Sequence, residues 1–247
     1  IRLNRELMDN QTSDASLAGA AAWLGQTYLD EEDFRKAGQW YERALQISPD
    51  PAYYHGLGLA LMHQERYDQA LESLQKASQA YDDSGDNSGR AAVLSSLAAI
   101  DMKKGEPGAA LVKMEKIAAI MEQLGDLPGQ ARALQETARL ELMASNFDSA
   151  RQKLERSLEL LQSSGDGRGA AFALFNLASL DLERSDFQNA AAEYARALPL
   201  FKEMGDRAGV AAIMHSQGLI QAQAGEKETA MNSFKEAFAI NQELGDR

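Results

Sequence analysis

The dipeptide Gly-Asp returns along this chain at a fixed interval. It stands at Gly85-Asp86, Gly125-Asp126, Gly165-Asp166, Gly205-Asp206 and Gly245-Asp246, each 40 residues after the one before. Self-similarity at a fixed period of this size is the signature of a solenoid, in which each repeat buries its apolar face only against its neighbours. The stretch Asn146 to Asp166, NFDSARQKLERSLELLQSSGD, shows the pattern most clearly, and near copies of it flank it on both sides. From Ala15 onward the text reads as helix, short turn, helix.

The registers inside the period are as regular as the period itself. Leu24-Gly25 and Tyr28 are followed by Ala37, Tyr41, Ala44 and Pro49. With Ala18 as position 1 these residues fall at positions 7, 8, 11, 20, 24, 27 and 32. The pattern resembles the tetratricopeptide repeat (TPR) consensus, L-G-x-x-Y followed by A, an aromatic, A and P. Repeats starting near residues 51, 91, 131, 171 and 211 align on the same frame. Position 8 is Gly25, Gly58, Ala98, Ala138, Ala178 and Gly218, and position 20 is Ala37, Ala70, Ala110, Ala150, Ala190 and Ala230. Small residues there let the two helices of a hairpin approach closely, where a larger side chain would overpack the crossing. Position 24 carries a bulky residue: Tyr41, Leu74, Met114, Leu154, Tyr194 and Phe234.

The resemblance implies an all-α fold, a TPR-type helix-turn-helix solenoid wound as a right-handed superhelix of six hairpins over residues 15–247. Residues 1–14 are expected to be an N-terminal helical segment or the tail of a preceding repeat, with Thr12-Ser13-Asp14 supplying a helix cap. Helix pairs are expected near 15–30/32–47, 51–64/67–84, 87–103/107–124, 128–144/147–164, 167–184/187–204 and 207–224/227–244. A period of 40 rather than about 34 resembles the long TPR variety of LGN-type spindle-orientation adaptors, bacterial peptide-sensing regulators and sensor domains of large ATP-dependent transcription activators. The last Gly-Asp pair ordinarily leads into a further repeat, so the chain is expected to belong to a longer protein.

Composition narrows the classes of function. With no cysteine among 247 residues, disulfides, thiol catalysis and cysteine-based metal sites are excluded, and the redox compartment stays open, the cytoplasm being the default. A formal net charge of −12 argues against a nucleic-acid surface, which needs a basic stripe, and leans toward basic partners. No apolar run approaches the roughly 18 residues of a membrane span, so membrane insertion is not expected.

Two other patterns invite chemistry. The segments GDNSG, GDLPG, GDGRG and GDRAG could cradle phosphate, but no strand precedes them and no Gly-Lys-Ser/Thr follows. The expectation is structural: the first Gly ends a helix in the left-handed conformation, Asp caps the next helix, and the later Gly permits close packing. Pro128 suits the first turn of its helix, whereas Pro199 is expected to kink its own. The carboxylates Asp101, Glu141 and Asp181 share position 11 of successive repeats, and ion pairs with neighbouring Arg or Lys are expected there rather than a metal. His55, His63 and His215 lack ligand spacing and a nearby nucleophile, so no cofactor, metal or catalytic residue is expected.

The resemblance further implies that the first helices of the hairpins line a concave groove, with positions 2, 5, 6, 9, 12 and 13 facing it. In the fourth repeat these are Arg132, Gln135, Glu136, Arg139, Leu142 and Met143; in the fifth, Phe172, Phe175, Asn176, Ser179, Leu182 and Glu183. The candidate partner-binding residues are Arg132, Gln135, Arg139, Phe172, Phe175, Asn176, Ser179 and His215. Two cations beside two aromatic rings suit an acidic-hydrophobic peptide. Asn176 matches the place where long TPRs hydrogen-bond the backbone of an extended ligand. Other repeats carry Trp23, Gly56, Ser96, Glu136 and Ser216 there, so the polar ladder is incomplete. The Lys/Asn clamp of chaperone-binding TPRs is missing from position 5. The function implied is a non-enzymatic protein–protein interaction scaffold that takes a peptide or partner segment in the groove. The alternative is a ligand-sensing regulatory domain of a larger signalling or transcription protein. Self-association through open repeat ends, where Phe234 and Phe238 lie, is a further expected contact.

Overall fold

The Gly-Asp turns account for the period. Gly85, Gly125, Gly165 and Gly205 have φ of +69°, +69°, +73° and +67°, the left-handed region in which a helix is stopped without a Cβ penalty. The following aspartates accept hydrogen bonds from the backbone N–H three residues on: Gly89 to Asp86 and Gly129 to Asp126 at 2.9 Å, Gly169 to Asp166 at 2.8 Å, Gly209 to Asp206 at 2.9 Å. Each aspartate satisfies one orphan donor of the next helix. The second glycine of each segment abuts a side chain of the helix before the turn: Tyr81 at Gly89 and Phe201 at Gly209 occupy the space a Cβ would need.

The structure, a computed structural model, describes residues 14–245. The expected segment 1–13, with Thr12 and Ser13 of its cap, and Asp246 of the last Gly-Asp pair lie outside the described residues. Helices α1 (Asp14–Asp30), α2 (Phe34–Ile47), α3 (Pro51–His63), α4 (Tyr67–Ser84), α5 (Asn87–Lys104) and α6 (Pro107–Leu124) come first. They are followed by α7 (Leu127–Met143), α8 (Phe147–Ser163), α9 (Gly167–Glu183), α10 (Phe187–Glu203), α11 (Arg207–Gln223) and α12 (Lys227–Gly245). Among the described residues there is no strand, and each helix ends within two residues of its expected bounds. Pro128 lies in the first turn of α7, and α10 continues through Pro199.

The described residues form two compact units, one ending at Ile120 and the other beginning at Met121. In the first, α1 pairs with α2 and α3 with α4, and each pair packs on the next, with α1 also touching α3 and α3 touching α5. Its core is built from Tyr41, Leu57, Leu61, Leu74, Val93 and Ile100. In the second, α7 pairs with α8, α9 with α10 and α11 with α12, joined by α8 on α9 and α10 on α11. Leu154, Leu174, Leu177, Leu180, Tyr194 and Phe201 are buried there.

The small-residue registers place hairpin partners in contact. The position-20 alanines are all buried, and at position 8 the glycines face the bulky position-24 residue of their own hairpin. A Cβ on Gly25 would meet Tyr41 at 2.9 Å, on Gly58 Leu74 at 2.7 Å, and on Gly218 Phe234 at 2.7 Å. The bulky side chain thus fills the place its partner helix leaves empty.

Candidate partner-binding site

The expected site residues fall in the second unit, on α7, α9 and α11. Between α7 and α9 lies a cleft of about 180 Å³ lined by Gln135, Arg139, Asn176 and Ser179 from the expected set, with Glu136, Leu142 and Glu183. Leu154, Leu180 and Ala138 close its floor. Arg132, Phe172, Phe175 and His215 do not line it. The alternation follows from helical geometry: positions three and four apart share a face, so Gln135, Arg139 and Leu142 come together.

The polar groups of the cleft differ in how far they are already engaged. Arg139 donates to Glu136 at 2.9 Å, an exposed i,i+3 pair that neutralises the cation locally. Ser179 Oγ donates to the Phe175 carbonyl at 2.9 Å and lies 3.0 Å from Tyr194 Oη, so its hydroxyl serves a buried tyrosine of α10. Gln135 Nε2 is buried without a hydrogen-bond partner. Among the described residues no side-chain hydrogen bond or ion pair involves Asn176, Glu183 or Arg132.

The aromatic residues pack within their own hairpin. Phe172 is 37% exposed, its ring edge-on to Phe201 at 5.0 Å, and Phe175 sits between Tyr194 and Phe201 with ring centroids at 5.7 and 6.0 Å. Phe172 therefore presents a ring to solvent, and Phe175 mostly supports it. His215 is exposed and leans on Phe234 at 5.4 Å. His63 stacks on Phe34 at 4.4 Å, and His55 bonds Ser96 at 2.9 Å, where burial lowers the imidazole pKa.

The position-11 carboxylates follow the ion-pair expectation at two sites. Asp101 pairs with Lys113 at 2.5 Å, and Asp181 pairs with Arg151. Glu141 is a correction: it accepts from Asn146 at 2.7 Å and Ser149 at 2.9 Å, because the Asn that opens α8 turns its amide onto the carboxylate instead of capping its helix. Among the described residues no group of three or more His, Asp or Glu is placed to hold a metal ion, and no helix is long and apolar enough to cross a membrane.

The register for groove-facing positions named Leu142 and Glu183 but not the cleft floor. Leu154 and Leu180 look from the sequence like ordinary core residues, and no signal in the sequence marks them as reachable from the groove.

Comparisons with known proteins agree with this architecture. Two family models, both described as tetratricopeptide repeat, match the chain, one at residues 49–123, 89–163, 139–203 and 169–243, the other at 18–51. A comparison with curated proteins finds no match. Among solved structures, the apo form of RapI superposes with a TM-score of 0.70 at 11% identity, covering 93% of this chain and 99% of that one. BtubC from P. vanneervenii gives a TM-score of 0.70 at 17% identity, covering 96% and 94%. A signal-transduction ATPase with a tetratricopeptide repeat sensor, from Pyrococcus horikoshii, gives 0.72 at 16% identity, covering all of this chain and 41% of that one. These likenesses speak to fold.

Proposed function

The chain belongs to the tetratricopeptide repeat family, and from that premise we propose that it is a non-enzymatic protein-interaction scaffold. Its second unit receives a peptide or partner segment on the face formed by α7, α9 and α11. The observation that carries this reading is the cleft, where Gln135, Arg139, Asn176 and Ser179 meet around an apolar floor. Exposed Phe172 beside it supplies an aromatic anchor of the kind that dominates binding energy. Repeat hairpins suit this work because they present a pre-formed surface, and little ordering has to accompany binding.

A second reading, a sensor that passes ligand binding to an effector domain, draws on one observation. One fold neighbour carries a tetratricopeptide repeat sensor within a larger ATPase, of which this chain matches 41%. The cleft, at about 180 Å³, is small beside the roughly 300–1,000 Å³ of sites for drug-sized ligands, which favours a partner segment over a free small molecule.

The test is capture of partners on immobilised chain, followed by the same capture with Phe172→Ala and Asn176→Ala. Loss of a partner with both variants, at unchanged far-ultraviolet circular dichroism, is expected. Partners retained by both would move the binding surface off this face.

A further inference from the structure

The outward face of α12 breaks the regularity of the earlier hairpins. Position 17 is Phe34, Tyr67, Pro107, Phe147 and Phe187 in the first five repeats, and Lys227 in the sixth. Position 25 is Glu42, Gln75, Glu115, Glu155 and Ala195, and then Lys235. Position 28 is Leu45, Ser78, Ala118, Leu158 and Leu198, and then Phe238. Leu158, in a hairpin that packs on the next, is 8% exposed. Phe238 is 71% exposed, more than any other large apolar side chain among the described residues. An aromatic ring and two cations thus stand where the earlier hairpins, each followed by another, carry other residues.

The ring borders an open apolar hollow of about 650 Å³, formed by Ala222 of α11 with Lys227, Ala230, Met231 and Phe234 of α12. Met231, Lys235 and Phe238 follow one another at four and three residues and so share one face of the helix. Glu228 lies seven residues, about 10 Å, before Lys235 along that face. Glu243 of this helix is taken by Arg207, and among the described residues no ion pair involves Lys227, Glu228 or Lys235.

We infer that α12 pairs with α12 of a second copy, antiparallel, about a two-fold axis passing between Met231 and Asn232. That axis lies halfway between Glu228 and Lys235, so each glutamate meets the other copy's lysine and two reciprocal ion pairs form. It also brings each Phe238 opposite residue 225 of the other copy, over the end of the hollow lined by Ala222 and Lys227. Ring and hollow lie on one face, and a two-fold pairing fills both hollows at once. Charge favours the same contact. Two lysines against one glutamate leave this face positive in a chain of net charge −12, which spares it part of the repulsion between two acidic chains. A purely acidic partner would meet the lysines but leave Glu228 opposed by like charge. The pairing uses no residue of the cleft between α7 and α9, so it stands or falls apart from the scaffold reading.

The test is the molar mass of the whole chain in solution, read by sedimentation equilibrium over a range of concentrations. A monomer–dimer equilibrium is expected. Phe238→Ser, at an exposed position and with unchanged far-ultraviolet circular dichroism, should raise the dissociation constant by at least about thirtyfold, since a two-fold pair meets each substitution twice. Glu228→Lys and Lys235→Glu should each raise it by at least about tenfold. Mixing these two variants should restore a dimer with one chain of each, because every pair across the axis is then again lysine opposite glutamate. A chain that stays monomeric up to about 100 μM, association beyond the dimer, a dimer indifferent to Phe238→Ser, or no recovery in the mixture overturns the inference.

Discussion

Arg151 of α8 ion-pairs with Asp181 of α9 and so ties the fourth hairpin to the fifth through a carboxylate whose side chain is 1% exposed. The same guanidinium reaches Glu193 of α10, with Nη2 3.6 Å from Oε1, and Glu155 of its own helix at 2.9 Å. A buried acid and a half-buried one, from different helices, therefore share one cation. Asp181 Oδ2 and Glu193 Oε2 are both buried without a hydrogen-bond partner.

The first prediction concerns pH. Burial, and then the neighbouring Asp181, push the Glu193 carboxyl from its usual 4.5 up to about 7. An acid whose pKa is raised on folding binds more protons in the native state between those values, so the stability it contributes is present at low pH and is lost as pH rises toward 7. The facing groups are Asp181, Arg151 and, on its own helix, Arg196; α11 carries only Arg207 and His215, and Arg207 pairs with Glu243. The chain should lose about 1–2 kcal/mol through this group between pH 4.5 and 7.5, the partial exposure of Glu193 screening the full effect. Glu193→Gln should remove that part of the slope. Melting curves of both proteins across this range check it; parallel curves would show that Glu193 titrates normally.

A second expectation concerns the turn inside each hairpin. Position 15 has positive φ throughout: Glu32 +59°, Glu65 +60°, Gly105 +77°, Ser145 +61°, Ser185 +61° and Gly225 +84°. Non-glycine residues bear a steric cost of about 1–2 kcal/mol in that conformation. Ser145→Gly and Ser185→Gly should each stabilise the chain by about 1 kcal/mol, less the entropy glycine adds to the unfolded state. Urea denaturation measures it, and a destabilised pair of variants would contradict the turn geometry.

The third contrasts two helical glycines. A Cβ on Gly58 would meet fully buried Leu74 at 2.7 Å, while one on Gly19 would meet nothing within 4 Å. Gly58→Ala should cost about 1–3 kcal/mol by overpacking, despite alanine's better helix propensity. Gly19→Ala should instead gain up to about 1 kcal/mol. Equal effects of the two substitutions in thermal melts would refute the hairpin contact.

A fourth expectation ranks the groove residues toward a captured partner. Phe172→Ala should weaken binding by about 2 kcal/mol, as an exposed aromatic anchor does. Arg139→Ala should change it by about 1 kcal/mol or less, because Glu136 already holds the cation in an exposed pair. Gln152→Ala, at an exposed position of α8 outside the cleft, serves as control. Calorimetry with these variants settles the order, and a dominant Arg139 effect would reverse it.

What the sequence determined by itself was most of what repeats. The Gly-Asp marks, the position-20 alanines and the position-8 glycines recur because every hairpin faces the same local problem of stopping a helix, capping the next and crossing closely. Each solution needs one residue type at one spacing, so helix bounds and hairpin pairing could be read from spacing alone.

Only the tertiary structure decided what varies between repeats, and the conformation of the turn inside each hairpin. Whether Arg139 is available depends on Glu136 one helical turn away, and whether Glu141 finds an arginine depends on where Asn146 turns its amide. Ser179 lines the cleft, and how far its hydroxyl is free depends on Tyr194 Oη, 3.0 Å away on the next helix. The left-handed turn at Ser145 and Ser185 also left no mark in those residues, since the strain is held by the packing of two helices and not by the residue that bears it. Side-chain partnerships between helices depend on distances that no spacing in the chain encodes, and those partnerships fix which groups of the cleft remain open to a ligand.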